Sequence, residues 1–101
     1  IMEYSMNNFQ SNISLETIAS LANMTKNAFC KYFKKRTNKT YVQFLTELRI
    51  ENACKLLLTY NDSSINEIAE FSGFNNLSNF NRQFKKLKNT TPVKYINRRD
   101  A

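Results

Sequence analysis

The chain repeats part of its own sequence. Residues 14–24 recur as residues 64–74, with apolar and small side chains matched in place and in character. One extra residue then enters the second copy, after which residues 29–45 recur as residues 80–96. Roughly thirty residues are duplicated, and two copies are too few for a solenoid. We therefore expect the copies to perform a paired task within a single domain, residues 1–101.

Each copy has the pattern of a helix-turn-helix. In the first copy, Ser14 is a predicted N-cap in front of an apolar stripe at helical spacing. Asn23 and Met24 form a tight turn, and Thr25 caps the next helix. The first helix-turn-helix unit is therefore expected at about residues 14–37.

The second copy carries the same signals. Ser64 and Glu67 have the spacing of a capping box, and Gly73 closes the helix that follows. A further helix is predicted over residues 76–88. The second unit is therefore expected at about residues 64–88.

The other segments also favour helices. Residues 40–59 have apolar side chains at three- and four-residue spacing, which predicts one linker helix of about 30 Å. A polar turn follows at residues 60–63, the Thr-Pro pair at residues 91–92 starts a short last helix, and the spacing of Met2 and Met6 indicates a weak first one. With one Gly and one Pro in the chain, a hairpin-rich sheet is disfavoured. The expected fold class is all-α.

The charges follow the same division as the repeat. Eight of the fifteen Lys and Arg residues lie within residues 26–55 and seven within residues 82–99, whereas residues 1–25 and 56–81 carry acidic charges only. The net charge of +7 is by itself equally compatible with a solvated basic surface. The segregation favours a nucleic acid, because a duplex presents one negative charge per ~1.7 Å.

A helical wheel divides the second helix of each unit into a core side and an outer side. The core sides hold the large side chains: Phe29, Tyr32, Phe33 and Arg36 in the first copy, and Phe80, Gln83, Phe84 and Leu87 in the second. The outer sides hold Asn27, Cys30, Lys31 and Lys34, and Ser78, Asn81, Arg82 and Lys85. Asn, Lys and Arg can donate to base edges and phosphates, although any soluble helix also exposes a polar face.

Other classes of function find little support. Cys30 and Cys54 are distant in sequence and no His is present, so we expect two free thiols, no metal, no cofactor and a reducing, cytoplasmic location. No apolar run approaches the ~20 residues of a membrane span, and no signal-peptide pattern opens the chain. An enzyme is not expected, because a phosphate-binding glycine loop and a nucleophile motif are both missing.

Four segments of the sequence form a specific signature: IAEFSGF at residues 68–74, SNFNRQFKK at 78–86, TPVKY at 91–95, and LRIENACKLL at 48–57 in the linker helix. In these segments the chain resembles the DNA-binding domain of the AraC/XylS family of bacterial transcription regulators. The resemblance implies seven helices with two helix-turn-helix units that bind DNA through the second helix of each unit, the recognition helix. DNA-repair proteins with a similar helical unit carry a Cys cluster that this chain lacks.

The resemblance and the wheel together assign the DNA contacts, with Asn79 implied by the resemblance alone. Base reading is predicted for Asn27, Cys30, Lys31, Ser78, Asn79, Asn81 and Arg82. Phosphate contacts are predicted for Thr25, Lys26, Lys34, Lys35, Asn76, Lys85, Lys86 and Arg98. Lys31 and Arg82 are expected to contact guanine, and Asn27 and Asn81 adenine. Arg98 is assigned because Ile96 occupies the place where the family commonly has Arg.

The chain departs from the family pattern at two kinds of position. Asn23, Asn38 and Asn89 stand where the family usually has Gly, and Asn is the next residue able to adopt a left-handed conformation, so the turns are expected to survive. Cys30 on the outer side of the first unit is a weak hydrogen-bond partner, which weakens the expected specificity there.

Double-stranded DNA is the expected partner. RNA polymerase is a further candidate, and the family implies an effector or dimerisation domain on the N-terminal side, outside this chain. The alternative is a basic helical interaction module that binds an acidic protein or a membrane surface. Such a module needs apolar anchors on its basic faces, and salt-sensitive, sequence-selective duplex binding distinguishes the two.

Overall fold

In the computed structural model, the described residues are 1–59 and 64–99, with the backbone alone at 98–99; the predicted turn at residues 60–63 lies outside them. The described residues form seven helices and no strand. The helices are α1 (Met2–Asn8), α2 (Leu15–Leu21), α3 (Lys26–Thr37), α4 (Tyr41–Thr59), α5 (Ile65–Phe71), α6 (Leu77–Lys88) and α7 (Pro92–Arg99). The predicted all-α fold with two helix pairs and a long linker helix is confirmed.

The predicted N-caps begin the helices of both units. The side-chain oxygens of Ser14 and Thr25 accept hydrogen bonds from the backbone N–H three residues later, at 3.1 and 3.2 Å. Ser64 and Glu67 make both bonds of a capping box, at 3.1 and 3.3 Å. Asn76 caps α6 at 2.9 Å, so this helix begins one residue later than predicted. Each cap contributes about 1 kcal/mol.

The three asparagines that replace glycine adopt the left-handed conformation, as predicted. Their φ angles are 57° at Asn23, 62° at Asn38 and 59° at Asn89. The backbone N–H groups of Asn38 and Asn89 donate to the carbonyls of Lys34 and Lys85 at 2.8 Å and close α3 and α6. The recognition helices of both units therefore end in the same geometry.

Each unit has its own hydrophobic core, and α4 contributes to both. The first core consists of Ile18, Ala19, Phe29, Phe33, Tyr41 and Leu45. The second consists of Ile50, Ala53, Cys54, Leu57, Ile68, Ala69, Phe74, Phe80 and Phe84. The four phenylalanines of α3 and α6 are buried, which confirms their predicted place on the core sides of these helices. Because the cores lie side by side along α4, the domain is elongated, with extents of 47 × 22 × 22 Å.

Some side chains that the periodicity placed on core faces are exposed. The first helix forms, but Met6 is 61% exposed, and the buried residue of α1 is Ser5. Ser5 shares a hydrogen bond of 2.6 Å with the hydroxyl of Tyr41, so a polar contact joins α1 to α4. The prediction of Tyr32 as a core residue is also wrong. Its side chain is 46% exposed, and the guanidinium of Arg36 lies over its ring.

The second recognition helix shows a similar deviation. Leu87 is exposed and Gln83 is only partly buried, although the wheel placed both on the core side. Phe80 and Phe84 are the residues of α6 that enter the second core, where their rings contact those of Phe74 and Tyr95. Fewer residues of each recognition helix are therefore buried than the helical wheel places on its core side.

Gly73 should be the least replaceable residue of the turns. It has φ +99°, and an added Cβ would lie 2.6 Å from the carbonyl oxygen of Phe9. We expect Gly73→Ala to lower the free energy of unfolding by about 3 kcal/mol, combining backbone strain with overpacking. Asn23→Ala, at the matching position of the first unit, should cost about 1 kcal/mol, because only the left-handed preference is lost. Urea denaturation measures both, and equal losses would contradict this account of Gly73.

Candidate nucleic-acid interface

The outer sides of α3 and α6 form two polar surfaces. We define the first reading face as Asn27, Cys30, Lys31 and Lys34, and the second reading face as Ser78, Asn81, Arg82 and Lys85. All of these side chains are exposed except Cys30, which is half-buried. Both faces contain amide or hydroxyl groups and cations, which are the donors and acceptors that base edges and phosphates require.

The second reading face has an internal hydrogen bond. An Nη2 hydrogen of Arg82 is donated to Oδ1 of Asn79 at 2.7 Å, and Nε2 of Gln83 approaches the same oxygen at 3.5 Å. The side-chain oxygen of Asn79 is thus engaged within the helix. The hydrogen bond to Asn79 uses only one of the five N–H donors of Arg82. The sequence predicts base reading for both Asn79 and Arg82, and their three-residue spacing on one helix is the signal that could have indicated this contact.

Lys26 is paired at the start of the first recognition helix. Its Nζ lies 3.4 Å from Oε1 of Glu16 on α2. A backbone hydrogen bond and Lys26 together hold the pKa of the Glu16 carboxyl below its usual range. Both side chains are well exposed, so this ion pair contributes little to stability.

The other predicted phosphate-binding residues fall into three groups. Thr25 and Asn76 use their side-chain oxygens as helix caps. The exposed lysines are Lys34, Lys35, Lys85 and Lys86; Nζ of Lys34 also donates to the carbonyl of Asn38 at 3.3 Å. The side chain of Arg98 lies outside the described residues.

Two lysines, Lys39 and Lys88, form ion pairs with glutamates of α4. Nζ of Lys39 donates to Glu47 at 2.6 Å, and Nζ of Lys88 donates to Glu51. The hydrogen bond to Glu51 raises the pKa of the Lys88 ammonium. Carboxylates of the linker helix therefore engage both lysines, which distinguishes them from the exposed cations of the reading faces.

The described part of the chain offers neither a metal-binding cluster nor a membrane-spanning helix. Within residues 1–59 and 64–99, no group of three His, Cys, Asp or Glu residues could hold a metal ion. No helix in those ranges is long and apolar enough to cross a membrane. Both cysteines are free, and burial raises the pKa of the Cys54 thiol, which keeps it protonated.

Comparison with known proteins assigns this arrangement to a family. A family described as a helix-turn-helix domain matches residues 18–98. An uncharacterized HTH-type transcriptional regulator of Pseudoalteromonas carrageenovora is 38% identical over 94 residues, which are 93% of this chain and 55% of that protein. The uncharacterized HTH-type transcriptional regulator YdeC of Bacillus subtilis is 35% identical over 83 residues, which are 82% of this chain and 28% of YdeC.

A solved structure supports the same assignment. The DNA-binding domain of the global transcriptional factor AdpA, in complex with a target DNA, superimposes with a TM-score of 0.87 at 25% identity. The match covers 94% of this chain and 85% of that one. The chain belongs to the AraC-type helix-turn-helix family and is a DNA-binding domain of the kind found in transcription regulators. It spans about half, or less, of the length of the two curated relatives.

The two kinds of cation on α6 should respond differently to truncation. Arg82→Ala should cost about 1–3 kcal/mol on the preferred site and relax selectivity at one base pair, because a guanidinium can bond two acceptors of one guanine. Lys86→Ala should weaken all sequences about equally, because a phosphate carries no sequence information. Binding measurements on the preferred duplex and on single-base variants test the contrast. Equal, sequence-independent losses would show that Arg82 contacts only the backbone.

Proposed function

We propose that this domain binds double-stranded DNA sequence-specifically by placing α3 and α6 in successive major grooves. The observation that carries the proposal is the presence of two similarly placed reading faces, on α3 and α6, in two units that one linker helix joins. At 1.5 Å per residue, α4 with its 19 residues is about 28 Å long. Successive major grooves on one side of a duplex are about 34 Å apart, so both helices can engage one site.

The residue roles follow from the chemistry of each reading face. In this proposal, Arg82 and Lys31 contact guanine, and Asn81 and Asn27 contact adenine. Asn79, Ser78 and Cys30 lie beside these residues and complete the base-reading set. Because the two faces differ in sequence, the bound site is asymmetric.

The phosphate contacts position the domain on the duplex. Lys34 and Lys35 on α3, and Lys85 and Lys86 on α6, are exposed cations in the last part of each recognition helix. Lys26, Arg98 and the two caps, Thr25 and Asn76, complete the proposed set. Such contacts supply affinity and orientation, whereas the base contacts supply selectivity.

The proposal extends to the protein in which this domain works. The curated relatives are transcription regulators of which the chain spans 28% and 55%. By extension, an effector or dimerisation domain accompanies this one on its N-terminal side, and the protein acts in the bacterial cytoplasm without catalytic activity. RNA polymerase is the proposed partner beyond DNA.

The competing interaction module is less well supported. It requires large apolar anchors on the basic surfaces. On the two reading faces, the exposed side chains are polar or charged. The exposed hydrophobic residues of the recognition helices include Tyr32 on α3 and Leu77 and Leu87 on α6, which lie outside the two reading faces as defined.

The salt dependence of binding tests the proposed function. If roughly six phosphates are neutralised, the slope of log K against log salt should be about −5 for duplex DNA. Lys86→Ala should reduce the magnitude of this slope by about 1, because one phosphate contact is removed. Lys88→Ala is the matched control, and it should leave the slope unchanged because Lys88 is paired with Glu51. A flat salt response of the unsubstituted domain would favour the interaction module.

A further inference from the structure

The second helix-turn-helix unit and the linker helix both contact the connection between α1 and α2. Arg49 lies on α4 between Leu45, which belongs to the first core, and Ile50, which belongs to the second. Its Nε donates to the carbonyl of Phe9 at 2.8 Å, and its Nη2 donates to the carbonyl of Ser11 at 3.0 Å. One side chain therefore binds two carbonyls of the α1–α2 connection.

These carbonyls belong to the first unit's side of the domain. Phe9 packs against the first core and is only partly exposed. Partial burial lowers the pKa of the Arg49 guanidinium, which nevertheless stays protonated at neutral pH. Hydrogen bonds donated by a charged group are stronger than those donated by a neutral group. The planar guanidinium of Arg49 also bonds both carbonyl oxygens at the same time.

The turn of the second unit lies against the same contact. A Cβ on Gly73 would come within 2.6 Å of the Phe9 carbonyl oxygen and 2.8 Å of Nε of Arg49. Beside it, Nδ2 of Asn52 donates to the hydroxyl of the buried Ser72 at 3.2 Å, which ties the same turn to α4. Because Gly73 has no side chain, the turn of the second unit can lie directly against the α1–α2 connection, which Arg49 binds.

We infer that Arg49 is a positioning residue that fixes the spacing and relative angle of the two reading faces by holding the α1–α2 connection against the turn at Gly73. The inference rests on the proposed engagement of both units with one duplex. A single helix joining two separate cores can bend and twist smoothly. A second contact beside the helix removes that freedom, so the domain discriminates between sites with different distances between their two segments.

The test measures affinity against the distance between the segments. The 101-residue chain is bound to its preferred duplex and to duplexes whose spacer is changed by one, two or five base pairs. The unsubstituted chain should lose affinity at every changed spacer. Arg49→Ala should bind the preferred duplex several-fold more weakly but lose much less on a change of one or two base pairs. Arg49→Lys, which keeps the charge and one donor group, should be intermediate.

A matched control separates this role from charge and stability. Lys55→Ala removes one exposed cation from the same helix and should keep the full spacing preference. Thermal unfolding of each variant is recorded in parallel, and if Arg49→Ala does not fold, Arg49→Lys alone decides. The inference is overturned if Arg49→Ala and Arg49→Lys change affinity by the same factor at all spacers, or if Lys55→Ala relaxes the preference equally.

The failure of the proposed function has a different signature. If the unsubstituted chain binds every spacer equally, including the insertion of five base pairs, then one unit alone engages DNA. That result overturns both the two-groove proposal and the role of Arg49. A steep spacing preference in the unsubstituted chain that persists in the Arg49 variants overturns only the role of Arg49.

Discussion

The linker helix α4 has to bury different residues along its length, because each half packs against a different helix-turn-helix unit. Tyr41 and Leu45 belong to the first core, whereas Ile50, Ala53 and Leu57 belong to the second. Neither unit closes a core without its half of α4. The distance between the recognition helices is therefore set by the same burial that stabilises the domain, and this couples its stability to the geometry of DNA recognition.

The glutamates of α4 pair with some of the lysines, and other lysines are exposed. Glu47 and Glu51 on α4 accept hydrogen bonds from Lys39 and Lys88, near the ends of the recognition helices. Lys31, Lys34, Lys85 and Lys86, in contrast, have exposed side chains. A count of basic residues alone does not distinguish the two groups. The number of cations available to DNA is therefore smaller than the sequence suggests.

The helices were predictable from residues that are close together in sequence. Contacts between distant segments were not predictable in this way. The caps at Ser14 and Ser64 depend on neighbouring residues, and so does the left-handed Asn38, so all three were predictable. The polar contact of Ser5 with Tyr41 and the clamp of Arg49 on the Phe9 carbonyl join residues about forty positions apart. No periodicity reports such pairs. The base-reading assignments, from Asn27 to Arg82, stay predictions.

The central claim is that two unlike readers on one chain engage one duplex together. Selection of bound sites from random double-stranded DNA tests it most directly, because binding, specificity and site length are read in one experiment. The account predicts an asymmetric motif with two different segments whose centres are about one helical turn, ~34 Å, apart. Enrichment of a single short segment, or of two segments without a fixed distance between them, would contradict it.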